Sequence, residues 1–168
     1  TTTGLSTIDY YISGDFEPVN AQEHYREQLI RLPNLGAAQI PPQVTEVNLD
    51  RSFIGVPEDA VIFISCANGI KYYADRDQLL IQILQQAKNA WIVLKPFQSH
   101  QLVDEHLTLR IMSKAKEAGV SDRLRVIPPL AKPSYLMPFL KLADVQLDTY
   151  PYGGWTTNME AVYAGLAI

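Results

Sequence analysis

The sequence predicts an α/β fold in which a Rossmann-like parallel sheet carries helices on both faces. From about residue 60 onward, short apolar runs typical of buried strands alternate with segments whose apolar residues recur at helical spacing. The 168 residues are 47% hydrophobic and 19% charged, which is enough length and apolar content for a core. Strands and helices that alternate in this way form parallel sheets covered on both sides.

The first part of the chain has a different pattern. Residues 7–13 favour a strand, which the turn signal Gly14-Asp15 ends. Apolar residues then recur at helical spacing and predict a helix with Asn20 as its N-cap. Residues 33–50 contain three prolines and little periodicity, so we expect a linker there and a domain boundary near residue 45. The apolar residues of the predicted helix are Ala21, Tyr25, Leu29 and Leu32.

The later elements follow one another closely. Continuous apolar runs predict buried strands at 61–64, 91–94, 124–127 and 145–150. Gly119 is expected as the C′ residue of the second helix, and Pro138 limits the third helix to a short or irregular one. The predicted helices cover residues 79–87, 107–118, part of 134–143, and about 157–164.

Composition and charge exclude several classes of function. The 14 basic and 18 acidic residues leave a net charge of −4 without a basic run, which argues against nucleic-acid binding. No apolar stretch reaches the roughly 20 residues that span a bilayer, and no basic-then-apolar leader is present, so we expect a cytoplasmic protein without membrane contact. His24, His100 and His106 lack metal-ligand spacing, and the single Cys66 is interpreted as a buried filler, so we expect no metal site and no cofactor.

The strongest local signal lies in residues 148–160. A strand ends there, Gly153-Gly154 allows close approach of the backbone, and Thr156 and Thr157 come where a helix begins with its free N–H groups. This arrangement suits a phosphate, and Glu160, one turn further on, suits a ribose diol. The alternative is structural, because Thr157 and Glu160 also have the spacing of a capping box that the two glycines would merely precede.

The loop after the first core strand is the second candidate. Ligands of a doubly wound sheet bind outside the carboxyl ends of its strands, which directs attention to the loops after Ser65, Leu94, Ile127 and Tyr150. In the first of these loops, Lys71 follows a strand end near the place where a pyrophosphate would lie. An ordinary surface lysine is the alternative.

Two blocks of the sequence match one family pattern in the same order. The first block reads Thr-Thr-Gly at 2–4, Ile-Asp-Tyr at 8–10 and Glu-His-Tyr-Arg-Glu-Gln-Leu at 23–29. The second reads Leu-Ala-Asp-Val-Gln-Leu-Asp-Thr at 142–149, Pro-Tyr-Gly-Gly-Trp-Thr-Thr at 151–157 and Ala-Gly at 164–165. Together they resemble glycosyltransferase family 41, the O-linked N-acetylglucosamine transferase and SPINDLY family.

The resemblance implies a GT-B architecture of two Rossmann-like lobes, with the donor held mainly by the C-terminal lobe. Residues 1–45 would be the tail of the first catalytic lobe and a linker, and residues 46–168 most of the second lobe, truncated at the C-terminus. The implied reaction is an inverting, metal-independent transfer of GlcNAc or another hexose from a UDP-sugar, or a GDP-sugar, to protein side chains. The family's catalytic histidine and its tetratricopeptide repeats have no counterpart here, so we expect the isolated chain to be inactive.

The resemblance also implies roles for individual residues. Lys71 matches the catalytic lysine that contacts the donor diphosphate and offsets charge on the departing nucleotide. Thr156 and Thr157 match the tandem threonines at the phosphates, and Glu160 matches an acidic residue that holds the ribose. Trp155 stands where some members have histidine.

The remaining implied positions concern the backbone and the base. Gly153 and Gly154 belong to the donor-binding set. The histidine that helps to hold uridine in the animal enzymes is replaced near Tyr135-Leu136, which leaves both uridine and guanosine open as the base.

Two other functions stay open at this point. One is another GT-B nucleotide-sugar enzyme, such as a 2-epimerase, whose second lobe also holds a diphosphate. The other is a non-catalytic α/β module in which Tyr150, Tyr152 and Trp155 form a protein-binding patch. The absence of an initial Met and the apolar run at the end of the sequence favour a piece of a longer protein.

Overall fold

A computed structural model describes residues 2–40, 47–97, 101–130 and 132–168 of the chain. The chain divides into two compact units, Thr1–Ile40 and Pro41–Ile168, each with its own sheet. The predicted boundary near residue 45 falls within 41–46, outside the described residues.

The first unit contains a pair of parallel strands. Strand β1 (Tyr10–Gly14) pairs with β2 (Gln28–Leu32), so that Tyr10 lies opposite Gln28. The helix predicted from Asn20 is wrong, because only Ala21–His24 forms a helical turn, of the 3-10 type, before the chain enters β2. Pairing with β1 supplies the backbone hydrogen bonds that a helix would have made, and tertiary pairing of this kind overrides a weak helical preference.

A buried carboxylate anchors the start of the first unit. Glu27 is 1% exposed and accepts hydrogen bonds from the Thr2 hydroxyl at 2.6 Å and from the backbone N–H of Thr3 at 2.8 Å. The Thr3 hydroxyl also donates to this carboxylate. The side-chain bonds from Thr2 and Thr3 lower the pKa of Glu27 to about 2. Hydrogen bonds therefore connect Thr2 and Thr3 with Glu27, all of which belong to the first sequence block.

The second unit is built on a four-stranded sheet in the order β5-β4-β3-β6, and all of its strand pairs are parallel. Central strand β3 runs through Asn68, so the predicted loop from Ser65 begins later than expected. Edge strand β6 is shorter than predicted, because the chain leaves the ladder at Asp148, whose carboxylate accepts from the N–H of Thr149 at 2.8 Å. The strands are β3 (Val61–Asn68), β4 (Ala90–Phe97), β5 (Leu124–Val126) and β6 (Val145–Gln146).

Four helices cover the two faces of this sheet and confirm the predicted doubly wound class. On one face, Leu84 of the first helix and Ile111 of the second pack in one cluster with Ile92 and Leu124 of the sheet. On the other face, Phe139 and Ala161 of the last two helices belong to a cluster with Ile62, Ile64 and Val93. The helices are α1 (Asp77–Gln86), α2 (Gln101–Glu117), α3 (Leu136–Leu140) and α4 (Thr156–Ala164).

The predicted end of α2 is confirmed. Gly119 has a φ of 70°, and its N–H donates to the carbonyl of Lys116 at 3.1 Å. The N–H of Val120 donates to the carbonyl of Ala115 at 2.9 Å, which completes a Schellman motif. A glycine suits this position because the left-handed conformation strains residues with a Cβ atom.

Candidate functional site

The second unit has a cavity of about 740 Å³ at the carboxyl ends of its strands. The ends of β3 and β4, the loop after β5 and the segment that leads into α4 line it. This is the edge of a parallel sheet at which ligands bind. Its lining includes all the predicted site residues: Lys71, Gly153, Gly154, Trp155, Thr156, Thr157 and Glu160.

Lys71 lies on the 3-10 turn Gly69–Lys71, directly after β3. The Asn68 side chain begins this turn by accepting a hydrogen bond from the N–H of Ile70 at 3.1 Å. The Lys71 ammonium donates to the carbonyl of Gly153 at 2.9 Å and lies 4.5 Å from the centroid of the Tyr152 ring. The lysine thus contacts the Gly153-Gly154 turn rather than extending into solvent, a contact that the sequence pattern did not predict.

Asp148 stabilises the Gly153-Gly154 turn. Its carboxylate accepts from the N–H of Gly154 at 2.7 Å. A Cβ atom on Gly153 would lie 2.5 Å from Oδ2 of Asp148, and one on Gly154 would overlap Oγ1 of Thr157. A side chain at either position would therefore have to displace the side chain of Asp148 or of Thr157.

The N-terminus of α4 opens into the same cavity without a capping box. The helix begins at Thr156, one residue earlier than predicted, and no side chain caps it. Among the described residues, neither the Thr156 nor the Thr157 hydroxyl has a hydrogen-bond partner, and the buried Oδ1 of Asn158 has none either. The structural alternative for Thr157 and Glu160 is therefore wrong, and the first turn of α4 presents polar groups that the described part of the chain does not use.

Glu160 lies one turn into α4 and is partly buried. Burial raises the pKa of Glu160, and the positive charge of Lys95 opposes that rise. Lys95, which no sequence pattern singled out, lies near the carboxyl end of β4, is 6% exposed and lines the cavity. The available signal was a lysine that directly follows a buried apolar run, at a strand end already marked as a place for a site.

Part of the cavity lining is apolar. Phe97, Leu130 and Leu136 form it. Leu136 belongs to the Tyr135-Leu136 segment that the sequence analysis discussed for the base, and it contributes an apolar side chain to the cavity. Tyr152 and Trp155 stand at the mouth, 68% and 53% exposed.

The remaining candidate groups have ordinary environments. Cys66 is buried, as predicted, and burial raises the pKa of its thiol to about 12, which leaves it protonated and unreactive. His24 and His106 are exposed, and His100 lies outside the described residues. Within the described ranges, no group of three His, Cys, Asp or Glu side chains is placed to hold a metal ion, and no helix is long and apolar enough to cross a membrane.

Comparison with known proteins identifies relatives over nearly the whole chain. It is 29% identical over 174 residues to a probable UDP-N-acetylglucosamine–peptide N-acetylglucosaminyltransferase SPINDLY of Solanum lycopersicum, covering 98% of the chain and 17% of that protein. It is 30% identical over 174 residues to the SPINDLY protein of Eustoma exaltatum subsp. russellianum, covering 98% of the chain and 18% of the relative. The chain therefore spans less than a fifth of the length of these relatives. No family model matches it.

The solved structures agree with these relatives. A mutant O-GlcNAc transferase from Thermobaculum terrenum superimposes with a TM-score of 0.72 at 25% identity, over 99% of this chain and 30% of that one. The fold is that of a GT-B glycosyltransferase. The chain is homologous, along nearly its whole length, to a segment of the SPINDLY and O-GlcNAc transferase proteins, which confirms the resemblance found in its two sequence blocks.

Proposed function

We propose that this chain carries the donor-binding part of an inverting protein glycosyltransferase. The observation that supports this most directly is the meeting of Lys71, the Gly153-Gly154 turn and the uncapped start of α4 at one cavity. A cation, exposed backbone and a helix N-terminus together favour an anionic ligand. The partly buried Glu160 beside them favours a ligand that also carries hydroxyl groups.

A nucleoside diphosphate has both kinds of group. In this proposal its phosphates lie at the N-terminus of α4, where the Thr156 and Thr157 hydroxyls donate to them. Lys71 exchanges the carbonyl of Gly153 for a phosphate oxygen, because an anionic acceptor is stronger than a neutral one. Glu160 accepts from the ribose, and Trp155 borders the site.

The same groups would assist bond cleavage. When the acceptor atom attacks the anomeric carbon of the sugar, a bond forms between them, the bond from that carbon to the diphosphate oxygen breaks, and the acceptor gives up its proton to water. Negative charge then grows on the departing nucleotide. Lys71, the threonine hydroxyls and the α4 N-terminus are aligned to stabilise that charge, so this chemistry needs no metal ion. In this proposal Lys71 is the catalytic residue of the chain.

The names of the relatives suggest the substrates. Those names describe transfer from UDP-N-acetylglucosamine to peptide. We therefore propose a UDP-sugar as donor and a protein or peptide as acceptor. A GDP-sugar is the alternative donor, because the resemblance implies that a uridine-contacting histidine is replaced near Tyr135-Leu136.

Calorimetric titration tests the proposal. The chain is titrated with UDP, UDP-GlcNAc, UDP-glucose and GDP, beside a Lys71→Ala, Thr157→Val double variant and the control Lys116→Ala, which alters an exposed lysine of α2. We expect saturable binding that the double variant loses and the control retains. A folded chain that binds none of these ligands would contradict the proposal.

The exposed aromatic residues support the interaction-module alternative. Tyr150, Tyr152 and Trp155 are all well exposed. Arg76 lies 4.7 Å from the centroid of the Tyr150 ring, so one of these aromatics already has a cation for a neighbour. A module of this kind binds protein without responding to nucleotide, whereas the proposed donor site binds nucleotide whether or not a protein is present.

A further inference from the structure

Lys95 is a buried cation without a counter-ion among the described residues. It lies near the end of central strand β4, opposite Cys66 of β3, and is 6% exposed. Among the described residues, its ammonium has no hydrogen-bond or ion-pair partner and lies 5.4 Å from the centroid of the Phe97 ring. Burying a charge is costly unless it is paired, so an unpaired lysine at the wall of a cavity points to a missing partner.

Glu160 is the acidic residue that lines this cavity together with Lys95. The lysine charge acts on the Glu160 carboxylate, yet no ion pair within 4.0 Å joins the two among the described residues. Both side chains line the same cavity, and Glu160, like Lys95, has no hydrogen-bond partner among the described residues. The cavity therefore contains a donor and an acceptor that no other described group uses.

The chemistry of such a pair is selective. A phosphate oxygen would suit Lys95 but would be repelled by Glu160, and an ammonium group would suit Glu160 but would be repelled by Lys95. A hydroxyl group satisfies both, because it donates one hydrogen bond and accepts others.

We propose that Lys95 is a specificity-determining residue of the donor site, which donates to the oxygen of a ligand ribose hydroxyl whose proton is directed to Glu160. This inference rests on the proposed nucleotide-binding function. The hydrogen bond from Lys95 would make the site selective for ribonucleoside over 2′-deoxyribonucleoside diphosphates. Lys71 and the α4 N-terminus would bind the phosphates.

The electrostatics of Glu160 support the same arrangement. Burial alone would favour the protonated carboxyl group, which is a poorer acceptor. The positive charge of Lys95 opposes the rise in the pKa of Glu160 and so favours the ionised form that can accept from a hydroxyl. Lys95 thus assists recognition both directly and through Glu160.

The test compares ribonucleotides with deoxyribonucleotides. UDP, 2′-deoxy-UDP, GDP and 2′-deoxy-GDP are titrated into the wild-type chain, Lys95→Met, Lys71→Ala and the exposed control Lys116→Met. We expect the wild type and the control to prefer the ribose form by roughly tenfold or more, and Lys95→Met to reduce that preference to about twofold or less by weakening the ribose form. Lys71→Ala should weaken both forms equally and keep the preference.

The outcomes separate the inference from the function on which it rests. Failure of the wild type to bind any nucleotide overturns both. Two results would overturn the role of Lys95 and leave the donor site standing, provided that the wild type binds nucleotide. In one, folded Lys95→Met keeps the wild-type preference for ribonucleotides. In the other, Lys95→Met weakens the binding of ribonucleotides and deoxyribonucleotides equally. If Lys95→Met does not fold, Lys95→Gln is titrated instead, and Lys95→Arg should retain part of the preference because it keeps the charge.

Discussion

The two lysines of the cavity, Lys71 and Lys95, differ in how the protein accommodates their charge. Lys71 is partly exposed and rests on a backbone carbonyl and an aromatic ring, contacts that a ligand can replace at little cost. Lys95 is buried on a central strand and has no polar partner among the described residues. One cavity therefore contains a cation that already has partners within the protein and a cation that has no polar partner among the described residues.

Asp77 is a buried charge whose partners are all supplied by the protein. Asp77 begins α1, is 3% exposed, and lies 2.8 Å from Nε of Arg110 and 3.0 Å from the ammonium of Lys114, both on α2. Every part of this carboxylate is satisfied by the neighbouring helix. Lys95 has no such partner in the described part of the chain, and this contrast supports a role in binding rather than in folding.

The largest expected effect separates these two kinds of buried charge. Asp77→Ala should lower the free energy of unfolding by about 3 kcal/mol, because it leaves two cations at the α1–α2 contact without their counter-ion. Lys95→Met should leave stability unchanged or raise it, since it removes a buried charge that has no partner. Urea denaturation followed by circular dichroism measures both. Equal destabilisation by the two variants would remove the distinction.

The next effect sharpens the role of Lys71. Lys71→Ala should weaken UDP binding by about 2 kcal/mol, or roughly thirtyfold, because a charged donor to the phosphates is lost. UMP binding should fall less, since fewer anionic oxygens remain to contact the lysine. Calorimetry with the two nucleotides checks this, and identical losses for UMP and UDP would place the lysine away from the terminal phosphate.

A smaller effect concerns the turn that Lys71 contacts. Gly154→Ala should weaken nucleotide binding by roughly tenfold, because the added methyl group displaces Thr157 from the start of α4. Thr157→Ala provides the matched background, since it removes the hydroxyl that the methyl group would meet. If Gly154→Ala weakens nucleotide binding as much in the Thr157→Ala background as in the wild type, steric conflict with Thr157 is not the cause.

The smallest effect is a pH dependence. Because the pKa of Glu160 is raised by burial, its carboxylate should become protonated at a higher pH than an ordinary glutamate as the solution is acidified. The preference for ribose over deoxyribose should therefore decline by a few fold between neutral and mildly acid pH. In Lys95→Gln the pKa of Glu160 should rise further and any remaining decline should begin at a higher pH. Titrations at several pH values measure the trend, and a preference that grows on acidification would contradict it.

Local patterns predicted most of the second unit. Its strands and helices alternate as expected, because continuous apolar runs and helical spacing reflect burial on a covered sheet. Lys71 and residues 153–160 were found because glycines, hydroxyls and a charge follow strand ends in a recognisable order. Lys95 was not found, since a single lysine after an apolar run looks the same whether it faces solvent or a cavity.

The failures have a common origin. The residues from Asn20 to Leu32 have helical spacing but lie in a 3-10 turn and in β2, because β1 offers a pairing edge that the local sequence does not reveal. Edge strand β6 ends after Gln146 because Asp148 binds the following turn instead of continuing the strand. In both places a contact with another part of the chain competed with the local preference and prevailed.

The sequence alone determined the doubly wound class, the places where strands give way to loops, and the residue types that suit a phosphate, because these depend on interactions over a few neighbouring residues. The tertiary structure alone decided that Lys71 reaches the turn 82 residues further along the chain, and that Lys95 and Glu160 line the same cavity. Such pairings depend on which strand ends become neighbours in the sheet. That order is set by the packing of the whole core.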